Sequence, residues 1–221
     1  KLATLGQIAA GVAHEINQPV AAIRTHADSA SVQLRREDSA GALRSLANID
    51  RLTERVGVIT DELRAFSRKT RTETMAVGVD AAIDGALLLV GGRLREKGIA
   101  LERHRAPADL AVRAERNRLE QVVLNLLQNA IEALDGVVDP VIDLGVQVKG
   151  RRVIIHVMDN GPGVTSAVQQ RLFTPFTTDK PDGLGLGLVI SRDIVAAFGG
   201  ELVLEPSSVG ARFTVRLARA P

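Results

Sequence analysis

The stretch Ala13-His14-Glu15-Ile16-Asn17-Gln18-Pro19 sits inside a helical pattern, and its periodicity decides how the first third of this 221-residue chain folds. Apolar side chains recur at Leu2, Leu5, Ala9, Val12 and Ile16, in steps of three and four that align them on one face. Each residue of an α-helix advances about 100°, so His14 falls roughly 160° from both Val12 and Ile16. The imidazole is therefore expected to project away from the apolar stripe, where another domain can reach it.

Outward from this stretch the stripe continues through Val20, Ile23, Ala27, Ala30 and Leu34. Two successive steps of four, from Val12 to Ile16 to Val20, fall beside Pro19, which removes a backbone hydrogen bond and predicts a bend. A turn over Arg35–Ser39 leads to a second helix with Leu43, Leu46, Ile49, Leu52, Val56, Ile59, Leu63 and Phe66 on its apolar side. Two amphipathic helices cannot enclose a core. The hairpin is expected to pair with a second copy into a four-helix bundle, the alternative being that it packs on its own C-terminal domain. Arg68-Lys69-Thr70-Arg71-Thr72-Glu73-Thr74 has no apolar residue and reads as a linker.

From Met75 the pattern becomes α/β. Helices are predicted over Val79–Glu96, Glu115–Leu134 and Leu188–Phe198, the last stopped by Gly199-Gly200. Strands are predicted at Ile99–His104, Leu110–Arg113, Val141–Val148, Val153–Met158, Glu201–Leu204 and Arg212–Leu217. Short connections between most of them predict a mixed sheet covered by helices on one face.

Composition narrows the function classes. With five Phe and no Trp or Tyr, the core must be built from Leu, Val, Ile and Ala. A net charge of +2 and the lack of a basic run interleaved with aromatics argue against nucleic-acid binding. The absence of Cys excludes disulfides and thiolate metal sites and fits a reducing compartment. No apolar run approaches the roughly 18 residues that span a bilayer. The chain opens at Lys1 already in a helical pattern, so we expect a fragment whose upstream part, with any membrane anchor, is missing.

Three clusters could hold chemistry. Gly183-Leu184-Gly185-Leu186-Gly187 precedes a helix, where bare backbone N–H groups and the helix dipole suit phosphate. The run could equally be a structural turn, and it matches neither the dinucleotide fingerprint nor a P-loop. Asp159-Asn160-Gly161-Pro162-Gly163 follows a strand, and a carboxylate there can accept from an exocyclic amine while glycines admit a flat ring; an ordinary Asx turn is the alternative. Asn125 and Asn129 share a helix face amid apolar residues, as oxygen donors to Mg²⁺ or as satisfied core amides. His104 and His156 read as surface or sheet residues, and His26 is turned about 120° from His14, too far for a shared metal.

Taken together and in this order, these segments resemble the sensor histidine kinases of two-component systems over nearly the whole chain. Ala13–Pro19 is similar to the phosphoacceptor box, Asn125–Asn129 to the N box, and Asp159–Gly163 to the first glycine box. Phe173-Thr174-Pro175-Phe176 resembles the F box, Gly183–Gly187 the second glycine box, and Gly210-Ala211-Arg212-Phe213-Thr214 the last. The wording is most similar to the subgroup that contains the C4-dicarboxylate sensors.

The resemblance implies a dimerisation and phosphoacceptor hairpin over residues 1–72, and an α/β-sandwich Bergerat (GHKL-type) ATP-binding domain over 73–221. It implies that His14 attacks the γ-phosphate of ATP, with Glu15 as the base or the orienting partner of the ring and Gln18, one turn on, orienting water for dephosphorylation of a regulator. Asn129 would ligate Mg²⁺ and Asn125 would support the nucleotide. Asp159 would read the adenine amine beside Gly161 and Gly163, with Thr214 assisting through water. Gly183, Gly185 and Gly187 would cradle phosphate, while Lys180 in the preceding lid could neutralise charge there and Phe176 would also contribute to cofactor binding. The implied partners are a second copy and the receiver domain of a response regulator, with no nucleic acid. The implied setting is the cytoplasmic portion of a membrane-anchored bacterial sensor. Ala211 departs from the pattern, since many relatives carry Thr or Ser there, and the lid at Thr177–Asp182 is short.

Overall fold

The computed structural model describes residues 2–67, 74–107, 109–175, 177 and 185–220, and only the backbone of 2–15, 55, 58 and 61–67. The chain falls into two compact units, each described by itself.

The first contains a helical hairpin of α1 (Leu2–Arg35) and α2 (Ser39–Ser67). α1 runs without interruption through Pro19, which is buried. The turn at residues 36–38 is set by Glu37 in the left-handed region (φ 61°) and by Asp38, whose Oδ1 accepts from the Gly41 N–H at 2.8 Å. That bond satisfies a donor at the start of α2 that has no partner within the helix. Ala30, Ala42 and Ile59 are buried between the helices, and buried Ser45 donates to Gln33 Oε1 at 2.9 Å. Part of the expected stripe is not used within one chain. Val20, Leu34, Leu43 and Leu46 are exposed, as is Val32.

The second unit contains β1 (Met75–Gly78), α3 (Val79–Glu96), β2 (Ala100–His104), β3 (Ala111–Ala114), α4 (Arg116–Ala133), β4 (Val141–Lys149), β5 (Arg152–Asp159), α5 (Ser166–Gln169), α6 (Gly187–Ala197), β6 (Glu201–Glu205) and β7 (Arg212–Ala218). A five-stranded sheet runs β2-β4-β5-β7-β6, parallel only between β2 and β4, and β1 pairs antiparallel with β3 in a separate ribbon. α4 starts where Glu115 turns its carboxylate back onto the N–H groups of Asn117 and Arg118, at 3.0 and 3.2 Å. Its stripe of Leu119, Val122, Val123, Leu126, Leu127, Ala130 and Ile131 is buried throughout. The sheet adds Ile142 and Leu144 of β4, Val153, Ile155 and Val157 of β5, and Val215 and Leu217 of β7, all buried. The core is thus aliphatic, as the composition requires.

The other face of the sheet is polar, and here His156 is a surprise. Strand alternation puts it on the face opposite Ile155 and Val157, yet it is buried. Its ring lies over Gly145, where a Cβ would come within 2.3 Å of Cε1, so the neighbouring strand supplies the room by omitting a side chain. Nε2 stands 3.3 Å from Asp143 Oδ1, which also faces exposed His104 at 3.5 Å. Burial lowers the His156 pKa from 6.5, outweighing Asp143, which raises it, while Arg212 and His104 reinforce the lowering. A histidine whose folded pKa is depressed contributes stability above its unfolded value and loses it as the pH falls. Urea unfolding is therefore expected to show the wild type losing stability as pH drops through 6.5 and below, with His156→Gln losing less over the same interval.

Candidate functional site

The end of β5 delivers Asp159 to a buried position where backbone closes around it. Its Oδ1 accepts from the N–H of Gly161 at 2.9 Å and of Ala211 at 3.3 Å, and neither bond goes to Oδ2. The first of these is the local bond of an Asx turn, so the turn reading describes this segment and leaves Oδ2 out of the turn. Burial raises the Asp159 pKa above 3.8 against the lowering pull of those two N–H groups.

Three glycines allow the backbone to approach this closely. Gly210 has φ 62°, and a Cβ there would lie 1.7 Å from the Asp159 carbonyl oxygen. Gly163 has φ 74° and abuts the Gly210 carbonyl, while a Cβ on Gly161 would meet Asp159 Oδ1 at 2.9 Å and the Ala133 carbonyl at 3.0 Å. Asn160 is structural: its Oδ1 accepts from Val141 N–H at 2.8 Å and its Nδ2 donates to the Asp139 carbonyl at 2.9 Å, which fixes the start of β4. A carboxylate with one oxygen unused among the described residues, set among backbone and glycines, fits the amine edge of a planar base.

Half-buried Asn125 and Asn129 share a face of α4. Asn125 Nδ2 donates to the Gly187 carbonyl at 3.1 Å and to Ser191 Oγ at 3.2 Å, so the amide grips one full turn at the start of α6. A Cβ on Gly187 would make only ordinary contacts, the nearest 3.6 Å away, so this position does not demand glycine. Gly185 does demand it: φ is 66°, and a Cβ would lie 2.6 Å from the Thr177 carbonyl. The Arg192 guanidinium of α6 stacks 5.1 Å from the Phe173 ring centroid, holding the start of the F-box segment to that helix. Among the described residues, no three His, Cys, Asp or Glu groups converge as a metal site. A divalent ion bound here would depend on amide oxygens and phosphate, a donor set that suits Mg²⁺.

One expected contact does not form. Asp159 N–H bonds to the Ala211 carbonyl at 3.1 Å, whereas Thr214 pairs with His156. Thr214 is three residues beyond Ala211, and strand side chains alternate, so it lies on the opposite face from Asp159 and cannot share a water with it. It is fully buried there, with no hydrogen-bond partner for Oγ1 among the described residues. The backbone of Ala211 takes the place expected of Thr214. The side chains of His14 and Glu15 lie outside the described residues, although their backbone is in α1. Phe176, Lys180, Gly183 and most of the lid also lie outside them. Gln18 is exposed on α1.

The family model for the His Kinase A (phospho-acceptor) domain matches residues 4–72, and that for the histidine kinase-, DNA gyrase B- and HSP90-like ATPase matches residues 114–221. The chain belongs to the histidine kinase family. This kinase core is 45% identical over 220 residues to the C4-dicarboxylate transport sensor protein DctB of Rhizobium meliloti (strain 1021), covering all of this chain and 35% of that protein. It is 34% identical to the sensor histidine kinase ZraS of Klebsiella oxytoca, covering 98% of this chain and 46% of that protein. The chain thus spans between a third and a half of these curated relatives. Among solved structures, the catalytic domain of histidine kinase ThkA matches with a TM-score of 0.62 at 30% identity, over 67% of this chain and 97% of that one. ThkA in complex with the response regulator TrrA matches with a TM-score of 0.81 at 26% identity, over all of this chain and 63% of that one. The ATPase-family match implies ATP binding by the kinase's second unit. No described helix is long and apolar enough to cross a membrane.

One residue bonded to this site, Ser191, escaped sequence reasoning; Gly210 was legible as the first residue of the last glycine box, but its close approach to Asp159 was not. Ser191 carried no signal, because a lone Ser in an apolar helix is unremarkable until its partner is known.

Proposed function

We propose that this chain is the catalytic core of an ATP-dependent protein histidine autokinase, with the phosphoacceptor domain at 1–72 and the ATP-binding domain at 73–221. The observation that carries the reading is the buried Asp159 carboxylate, held through Oδ1 and enclosed by Gly161, Gly163 and Gly210. Asp159 accepts from the adenine amine, and its depth makes that one hydrogen bond selective. Asn129 and Asn125 face the Mg²⁺-bound phosphates, and Gly183, Gly185 and Gly187 give the phosphates bare backbone beside Phe176 and Lys180. Mg²⁺, if held there by Asn129 and the phosphates, would neutralise charge at the transferred phosphoryl group.

A ring nitrogen of His14 attacks the γ-phosphorus, the bond to the bridging oxygen breaks, and ADP leaves; Glu15 orients the ring. The phosphoryl group then passes to a receiver-domain Asp of a response regulator, and Gln18 orients water when the regulator is dephosphorylated. Gln18 is exposed, and by helical periodicity His14 shares its side of α1. Exposed Leu34, Leu43, Leu46, Val20 and Val32 form the surface against which a second copy completes a four-helix bundle. The whole protein is read as a membrane-anchored sensor with this core on its cytoplasmic side.

With γ-labelled ATP and Mg²⁺, label should accumulate on the protein and move to a receiver domain added later. Continuous phosphate release from an unlabelled protein would make it a simple ATPase of the same fold. Nucleotide binding with neither outcome would make it a passive dimerisation scaffold.

A further inference from the structure

Asn125 is attached to α6 in a way that leaves its amide one orientation. A carboxamide has two N–H donors on one side and an acceptor on the other. The Gly187 carbonyl can only accept, so it must face Nδ2, and Ser191 Oγ receives the second donor at 3.2 Å. Gly187 and Ser191 are four residues apart on α6, and Ser191 is completely buried, so the grip is shielded from water. With both donors spent on α6, Oδ1 is turned to the other side of the group, as an acceptor-only surface on the face of α4 that also bears Asn129. Were Ser191 to lose its oxygen, one donor of a half-buried amide would have no partner, and the amide could rotate to seek one.

We propose that Ser191, which the nucleotide reading leaves unused, is a positioning residue for the Mg²⁺-nucleotide site, acting by fixing the Asn125 amide. This rests on the reading that the α4 amides face Mg²⁺-bound phosphate. Ser191 touches neither nucleotide nor metal. The Gly187 carbonyl sets which atom of Asn125 faces α6, and Ser191, by taking the second donor, holds the amide in that orientation and ties the start of α6 to α4.

The test is ADP binding by calorimetry, with Mg²⁺ and in EDTA, on wild type, Ser191→Ala, Asn125→Ala, the double variant and Asn129→Ala. One hydrogen bond of this kind sets the expected effect at about three- to tenfold. Ser191→Ala should weaken Mg²⁺-ADP binding by that factor, change binding in EDTA far less, and add nothing in the Asn125→Ala background. Should the smaller side chain destabilise the helix, Ser191→Cys keeps the volume while offering only a weak acceptor, and it should give the same pattern. Unchanged affinity, or equal losses with and without Mg²⁺, would overturn the inference, as would additivity with Asn125→Ala. If Asn129→Ala leaves Mg²⁺-ADP binding intact, the nucleotide reading of α4 fails. If Asn129→Ala loses it while Ser191→Ala is silent, only the role of Ser191 fails.

Discussion

Asp159→Asn should weaken nucleotide binding by roughly ten- to a hundredfold, the scale of one hydrogen bond to a charged group, and yet make the kinase core no less stable near neutral pH. The two backbone donors, Gly161 and Ala211 N–H, both demand an oxygen at the Oδ1 position. An Asn side chain that satisfies them must present its NH₂ where the second carboxylate oxygen was, so a donor faces the donor of the adenine amine. Stability runs the other way. Burial raises the folded pKa of Asp159, so its contribution is fully present below the unfolded value of 3.8 and is lost as pH rises through the folded value. Burial of the charged form is therefore a cost to the fold that the neutral amide does not carry. Calorimetric titration with ADP together with thermal melts at several pH values would check both halves. The wild type should gain on the variant as the solution is acidified towards the carboxylate range. Retained affinity in Asp159→Asn would remove this residue from base recognition.

Gly210→Ala should be the most damaging single methyl in the ATP-binding unit. A left-handed backbone costs an Ala about 1–2 kcal/mol, and here the new Cβ would also sit 1.7 Å from the Asp159 carbonyl oxygen. Backbone cannot give way as a flexible side chain can, so β5 and β7 must separate at the point that carries Asp159. Gly150 supplies the control, with φ 61° and nothing within 4 Å of the place a methyl would take. Gly150→Ala should cost only the conformational term, and Gly210→Ala at least about twice as much, with nucleotide binding lost first. Urea unfolding of the two variants side by side decides it, and equal costs would contradict the close approach at Gly210.

Most of the architecture was legible because it rests on long periodic segments. The stripe from Leu119 to Ile131 could belong only to a helix with one buried side, and α4 buries all seven of those residues. Strands of seven or more residues, such as β4, β5 and β7, also declared themselves. β1 and α5 did not: each has four residues, and unlike the equally short β3, whose alternation at Leu110–Arg113 was read as a strand, neither showed a period. What local sequence could not supply was register. Thr214 lies in the same motif as Gly210 and Ala211, yet the pairing of β7 with β5 sets it opposite His156 and turns it from Asp159. His156 looked like an ordinary sheet residue because its burial depends on Gly145 in the neighbouring strand. Likewise Leu43 and Leu46 fit the helical stripe but stay exposed in the single hairpin, since the pattern shows that a surface is apolar without showing what covers it. Asp159, the two asparagines and the glycines were readable as candidates, and only the folded chain shows that Asn125 reaches Ser191.

The proposed activity turns on a phosphoryl group moving from ATP to His14. The most direct measurement is to incubate wild type and His14→Gln with γ-labelled ATP and Mg²⁺, confirm equal nucleotide affinity, and treat each labelled protein with acid and with alkali. The expected result is acid-labile, alkali-stable label on the wild type and none on His14→Gln. Equal label on both, or none on a wild type that is saturated with Mg²⁺-ATP, would contradict it.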